Sequence, residues 1–291
     1  MWAIFTLIAA ASQTARNAMQ RDMIGKIGAV GATQVRFLFG LPFAILFLLA
    51  VETAVRQPLP ALNGRNLAFV ALGAVAQIAA TALMLAAMRR QSFVVVVAFT
   101  KTEAAQVAIF ALVFLGEKPT GFLVASILLA TLGVFLLTAK VDLSRGAARA
   151  SLAGLVSAAF FAIAALSFRQ AELALDASSF VLAATTVLVE ALFFQTVTLF
   201  GWLAAFDRAL MRSIVGHWRG SLTAGFMGAL ASQFWFLAFA LTSASRVRTL
   251  ALVEVLFAQA VSTRLLKERF GRRELTGVAL IVVGAILIVN G

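Results

Sequence analysis

Long apolar runs alternate with short polar connections along the whole chain. The runs cover about residues 2–20, 31–51, 67–88, 92–115 and 119–140, and then 151–169, 178–206, 219–241, 246–266 and 272–290. A helix crossing the hydrocarbon of a bilayer needs roughly 20 predominantly apolar residues, and each run approaches or meets that length. The connection 52–66 carries Pro58, Pro60 and Gly64 and reads as a loop. Pro119 can open the fifth helix without losing a backbone bond, whereas Pro42 falls inside the second run and predicts a kink there. The first run lacks the positively charged leader of a signal peptide and reads as a retained span. The pattern predicts an all-α integral membrane protein with ten transmembrane helices. Five lie in residues 1–140 and five in 151–291, joined by a polar hinge at 141–150. An odd number of spans per half gives the halves opposite orientations, so the ten form a 5+5 inverted repeat whose pathway lies between them.

The halves also match residue by residue. Phe99-Thr100-Lys101-Thr102-Glu103 returns 151 positions later as Leu250-Ala251-Leu252-Val253-Glu254. The same offset pairs Ser92 with Ser243, Glu117 with Glu268 and Gly133 with Gly284. Ser126 and Gly133, like Gly277 and Gly284, stand seven apart and share a helix face. Small residues so spaced let helices pack closely in lipid, which gives the last helix of each half a structural role.

Ten spans in two repeats, with Leu115-Gly116-Glu117 before a fifth helix, Lys267-Glu268 before a tenth and Arg36 early in the second span, resemble the drug/metabolite transporter superfamily. The likeness is to its ten-helix EamA-type branch, and it covers the whole chain. The second repeat departs from the pattern at Phe270-Gly271-Arg272-Arg273, where the first has a compact turn. The resemblance implies an exporter of amino acids, aromatic ones included, or related amines, in the bacterial inner membrane.

Composition narrows the chemistry. The 291 residues are 62% hydrophobic and only 12% charged, with a mean hydropathy of +1.00, so lipid is the solvent. There is no cysteine, and His217 is the single histidine, which leaves no histidine- or thiolate-based metal site and implies no cofactor. The net charge of +12 sits mostly between apolar runs, where it sets orientation and meets lipid headgroups rather than nucleic acid. The expected partners are a small-molecule substrate and the bilayer, with the chain a monomer or a homodimer.

Ionisable groups inside a span are costly and therefore candidates for function. Glu103 and Glu254 occupy matching places and either line the pathway, couple transport or pair structurally. Lys101 is two positions from Glu103, on another face, and is expected to partner a different acid. Glu190, in the seventh run, and Arg36 are further candidates for coupling or structural ion pairs. Gln13, Gln77, Thr100, Gln233 and Trp235 fall on polar or mixed faces and are expected to line the cavity. Counting Glu103, Glu190 and Glu254 against Lys101 and Arg36 gives a mildly acidic interior, suited to zwitterions or cations. The rival readings are a membrane enzyme built on intramembrane carboxylates and a structural membrane subunit. The first lacks a recognisable catalytic set, and the second gives the matched acids no purpose.

Orientation sets two arguments against each other. The family resemblance implies cytoplasmic termini. Most of the 24 Lys and Arg residues, however, fall in the connections after odd-numbered spans, which the positive-inside rule places in the cytoplasm, leaving both termini outside. On the charge argument, a Gly271→Cys variant of this cysteine-free chain resists a membrane-impermeant thiol reagent in intact cells. Rapid labelling there would restore the orientation implied by the resemblance.

Overall fold

In hydrocarbon no water satisfies backbone N–H and C=O groups, so the apolar runs fold as helices, each closing its own hydrogen bonds. The computed structural model describes residues 1–89, 93–137, 145–258, 260 and 272–291, and no strand occurs among them. Helix α1 (Trp2–Leu38) joins the first run to the start of the second. Its course reverses at Gly28, whose φ of 69° is one that residues with a Cβ rarely adopt. The Gln20 side-chain amide donates to the Ala32 carbonyl at 2.8 Å, across a separation that would be about 18 Å along a straight helix. The kink expected at Pro42 is a break instead. The helix stops at Phe39-Gly40, and α2 (Leu41–Val55) restarts with Pro42 in its first turn, where it costs no bond.

Helix α3 (Gly64–Met88) is capped by the Asn63 side chain, which accepts from the Asn66 N–H at 2.9 Å. The fourth span divides into α4 (Phe93–Thr100) and α5 (Glu103–Leu115), and Gly116 ends α5 with a φ of 68°. Helix α6 (Gly121–Leu137) completes the first half. The second half comprises α7 (Arg145–Leu173), α8 (Phe180–Phe206), a short α9 (Arg208–Gly216), α10 (Trp218–Leu241) and α11 (Ala244–Leu250). One 3-10 turn (Ala251–Val253) leads from α11 into helical residues 254–258, and α12 (Arg272–Asn290) closes the chain. Residues 145–150 of the expected hinge are the first turns of α7. Ser92 and the connection carrying Lys267 and Glu268 lie outside the described residues. Among the described residues, six helical stretches are long and apolar enough to cross a membrane, and Gly121–Leu136 and Leu275–Asn290 are shorter apolar helices.

The two halves interlock. Helix α1 packs along α10 and α3 along α7, so the first span of each half lies on the third span of the other. Their second spans meet through α2 and α8, and their last through α6 and α12. This last crossing is reciprocal. A Cβ on Gly133 would stand 2.6 Å from the Gly277 carbonyl oxygen, and one on Gly284 would stand 3.0 Å from that of Ser126. The small residues matched at the 151-residue offset therefore bring the two backbones together, as the sequence spacing predicts. Outward faces carry Leu46, Leu49, Val113, Phe114, Leu128 and Ile286, all exposed, as a helix bundle surrounded by lipid requires.

A Gly133→Val variant should lower stability by roughly 1–3 kcal/mol, because the new side chain must displace backbone. Gly201→Ala, which meets nothing within 4 Å, serves as the control. Thermal unfolding of the purified variants in detergent measures the difference.

Candidate functional site

Both spans that carry the matched acids tighten at the same place. In the fourth, the Thr102 N–H bonds to the Phe99 carbonyl and the Ala104 N–H to that of Lys101, three residues back rather than four. In the ninth, the 3-10 turn Ala251–Val253 stands at the corresponding positions. Short 3-10 stretches inside a helix often mark hinges. Each turn delivers an acid to the start of the helical segment that follows: Glu103 opens α5, and Glu254 opens residues 254–258. A cation sits at the end of each preceding segment, Lys101 just beyond α4 and Arg248 in the last turn of α11. Acids at helix N-termini and cations at C-termini are both favoured by the helix dipole.

The ion pairs run crosswise between the halves. Lys101 Nζ meets Glu254 Oε2 at 2.5 Å, and Arg248 Nε meets Glu103 Oε1 at 2.8 Å, with no side chain of the four more than 6% exposed. Lys101 thus passes over its near neighbour Glu103. The second contact is less well aligned, since neither Arg248 Nε nor Glu103 Oε1 completes a hydrogen bond. Helix α1 supplies further donors to Glu254. Gln13 donates to Oε2 at 2.8 Å, and Asn17, one turn on, donates to Oε1 at 3.3 Å. Trp235 Nε1 donates to Gln13 Oε1 at 3.0 Å. The Arg248 guanidinium lies over the rings of Trp235, at 4.5 Å, and Phe239, at 5.1 Å, so the aromatic wall carries a cation.

These groups surround one central cavity. Gln13, Gln77, Thr100, Glu103, Trp235 and Glu254 line it, together with Lys101. Gln77 also accepts from Gln195 at 2.7 Å, tying α3 to α8. The remaining candidates lie elsewhere. Gln233, expected on the cavity wall, turns to donate to Thr185 of α8 at 2.9 Å. Glu190 accepts from Asn66 at 3.1 Å and Arg36 donates to Thr81 at 3.0 Å, and among the described residues neither forms an ion pair. Of the polar side chains Thr6, Gln13, Asn17 and Gln20 on α1, Thr6 bonds back to the Trp2 carbonyl and Gln20 secures the reversal at Gly28, whereas Gln13 and Asn17 reach the site.

Sequence reasoning missed Arg16 and Arg248. Both lie close to span ends as the apolar runs define them, and so read as loop charges. Both are in fact buried and line the cavity. Their inclusion reverses the charge of the interior: Arg16, Lys101 and Arg248 face two acids, Glu103 and Glu254. The cavity holds about 20 Å³, room for roughly one water and not for a metabolite. The centre as described leaves no room for cargo.

Among the described residues, no group of three or more histidine, cysteine, aspartate or glutamate side chains could hold a metal ion. No curated protein matches the chain. A solved crystal structure of a protein superposes with a TM-score of 0.71, covering 98% of this chain and 94% of its own, at 12% identity. At that identity the likeness is one of fold. The model of the EamA-like transporter family matches residues 1–139 and again residues 148–290. The chain belongs to the EamA-like transporter family.

Proposed function

We propose that this multi-pass membrane transporter exports small amphiphilic metabolites, amino acids first among them and aromatic ones included, by alternating access through the centre between its two halves. The observation that carries the reading is the crosswise pairing of Lys101 with Glu254 and Arg248 with Glu103 in a cavity too small for cargo. Each pair joins one half to the other beside a tightened helix turn. Opening toward either side of the membrane must part or exchange these contacts, and a substrate can shift the balance only by replacing part of what is lost. A zwitterion brings both charges needed. The hydrophobic remainder of the cavity, with Phe161, Phe168 and Trp235 on its wall, suits an apolar side chain better than a sugar or a phosphate ester. The family is one of transporters, not of enzymes.

Glu103→Gln and Glu254→Gln are each expected to reduce amino-acid counterflow in proteoliposomes by about tenfold or more. Removing one member of a buried pair leaves its partner uncompensated at a cost of roughly 3–5 kcal/mol, so the state population shifts along with the chemistry. Both variants should still insert into membranes and elute as single species. Counterflow at the parental rate by the double variant would refute the reading.

A further inference from the structure

We infer that the central site recognises its cargo through a carboxylate bound by Arg16, and that amines lacking a carboxylate are poor ligands. The inference rests on the transport reading above and assigns the chemical class of that site's ligand. Arg16 is 1% exposed and lines the cavity. Its Nε and Nη2 both donate to one acceptor, Asn17 Oδ1, at 3.2 and 2.7 Å. Its Nη1 has no hydrogen-bond partner among the described residues. Aliphatic carbon of Arg16 packs close to Gly228, beside the stem of Arg36, so a second buried cation stands behind the first.

The acids nearby are committed. Glu254 already receives Lys101, Gln13 and Asn17, and Glu103 stands against Arg248. Asn17 links the two systems, accepting from Arg16 while donating to Glu254. The centre therefore carries one cation more than it has acids, and both acids already face a cation while Arg16 Nη1 has no partner among the described residues. A water in the cavity would satisfy the hydrogen bond at Nη1 but not the charge. A carboxylate satisfies both, through the short charge-assisted bonds that guanidinium groups favour. An ammonium group must compete with Lys101 for Glu254 or with Arg248 for Glu103, so a lone amine gains little and a zwitterion gains its second contact after the first.

The test is thermal stabilisation of the purified, detergent-solubilised full chain by L-phenylalanine, 3-phenylpropanoate and phenethylamine, with acetate and chloride as small-anion controls. The expected order has phenylalanine first, 3-phenylpropanoate second, and no shift from phenethylamine. Arg16→Gln should weaken the phenylalanine effect by roughly tenfold to a hundredfold in midpoint concentration, the loss of a charge-assisted contact. Arg16→Lys should retain part of it. The ligand series on the parental chain decides the matter even where a variant fails to fold. Four results overturn the inference: no shift with either aromatic carboxylate, an equal or larger shift with phenethylamine, an undiminished shift in folded Arg16→Gln, or full reproduction of the effect by acetate or chloride. Counterflow lost in the glutamate variants alongside any of these would leave the transport reading standing while this one falls.

Discussion

A charge in the middle of a bilayer must be compensated where it lies, because neither water nor a mobile ion is at hand to do it. The closed centre is built around that requirement. To its ion pairs each half contributes one acid and one cation, and each acid is met by the cation of the other half, with Arg16 left over as a third cation. Pairing within a half would have left the two free to separate. The crosswise arrangement makes compensation depend on their being together, and it puts the contacts beside the two tightened turns where the helices can bend.

Around this centre the packing is graded. The last spans of the two halves cross at Gly133 and Gly284 with their backbones in contact, which fixes one interface. The first and third spans lie crosswise, α1 on α10 and α3 on α7, and carry the polar side chains that reach the acids. Gln13 and Asn17 lie one turn apart on α1 and both address Glu254, so movement of α1 relative to the ninth span bears directly on the network. A backbone-to-backbone crossing between the last spans, apart from the polar contacts at the centre, is compatible with the alternating access proposed above.

The architecture was legible because lipid imposes a strong pattern: long apolar runs, five and five, with small residues and acids repeated at one offset. The breaks were not. Ala251-Leu252-Val253 is ordinary membrane-helix composition, and Phe99-Thr100-Lys101-Thr102 departs from it only in the charge of Lys101, which marks a candidate site but not a tighter turn. Pro42, by contrast, announced an interruption and was misplaced only in form, since the chain stops before it. The acids of the site could be found because they repeat. Lys101 could be found as a charge inside a span, although it aligns with Leu252, but Arg248 could not, because it aligns with Val97 and lies near a span end. Compensation requires that a cation reach the opposite acid, not that it occupy the equivalent position. Arg16 escaped notice for a related reason: its place near the end of the first apolar run concealed how deeply the reversal at Gly28 and the packing of α10 enclose it.

The central claim, that the two crosswise pairs hold the pathway shut, can be tested without knowing the cargo. Thr100 lines the cavity and is buried, and the chain has no native cysteine, so Thr100→Cys reports on access to the centre alone. The measurement is the rate at which a small, water-soluble thiol reagent labels this cysteine in proteoliposomes, with and without Lys101→Gln and Glu254→Gln together. Neutralising both partners avoids an orphaned charge while removing the lock. The account predicts slow labelling with the pair intact and an increase of at least about tenfold, some 1.4 kcal/mol in the opening equilibrium, once it is removed. Equal rates in the two folded proteins would contradict it.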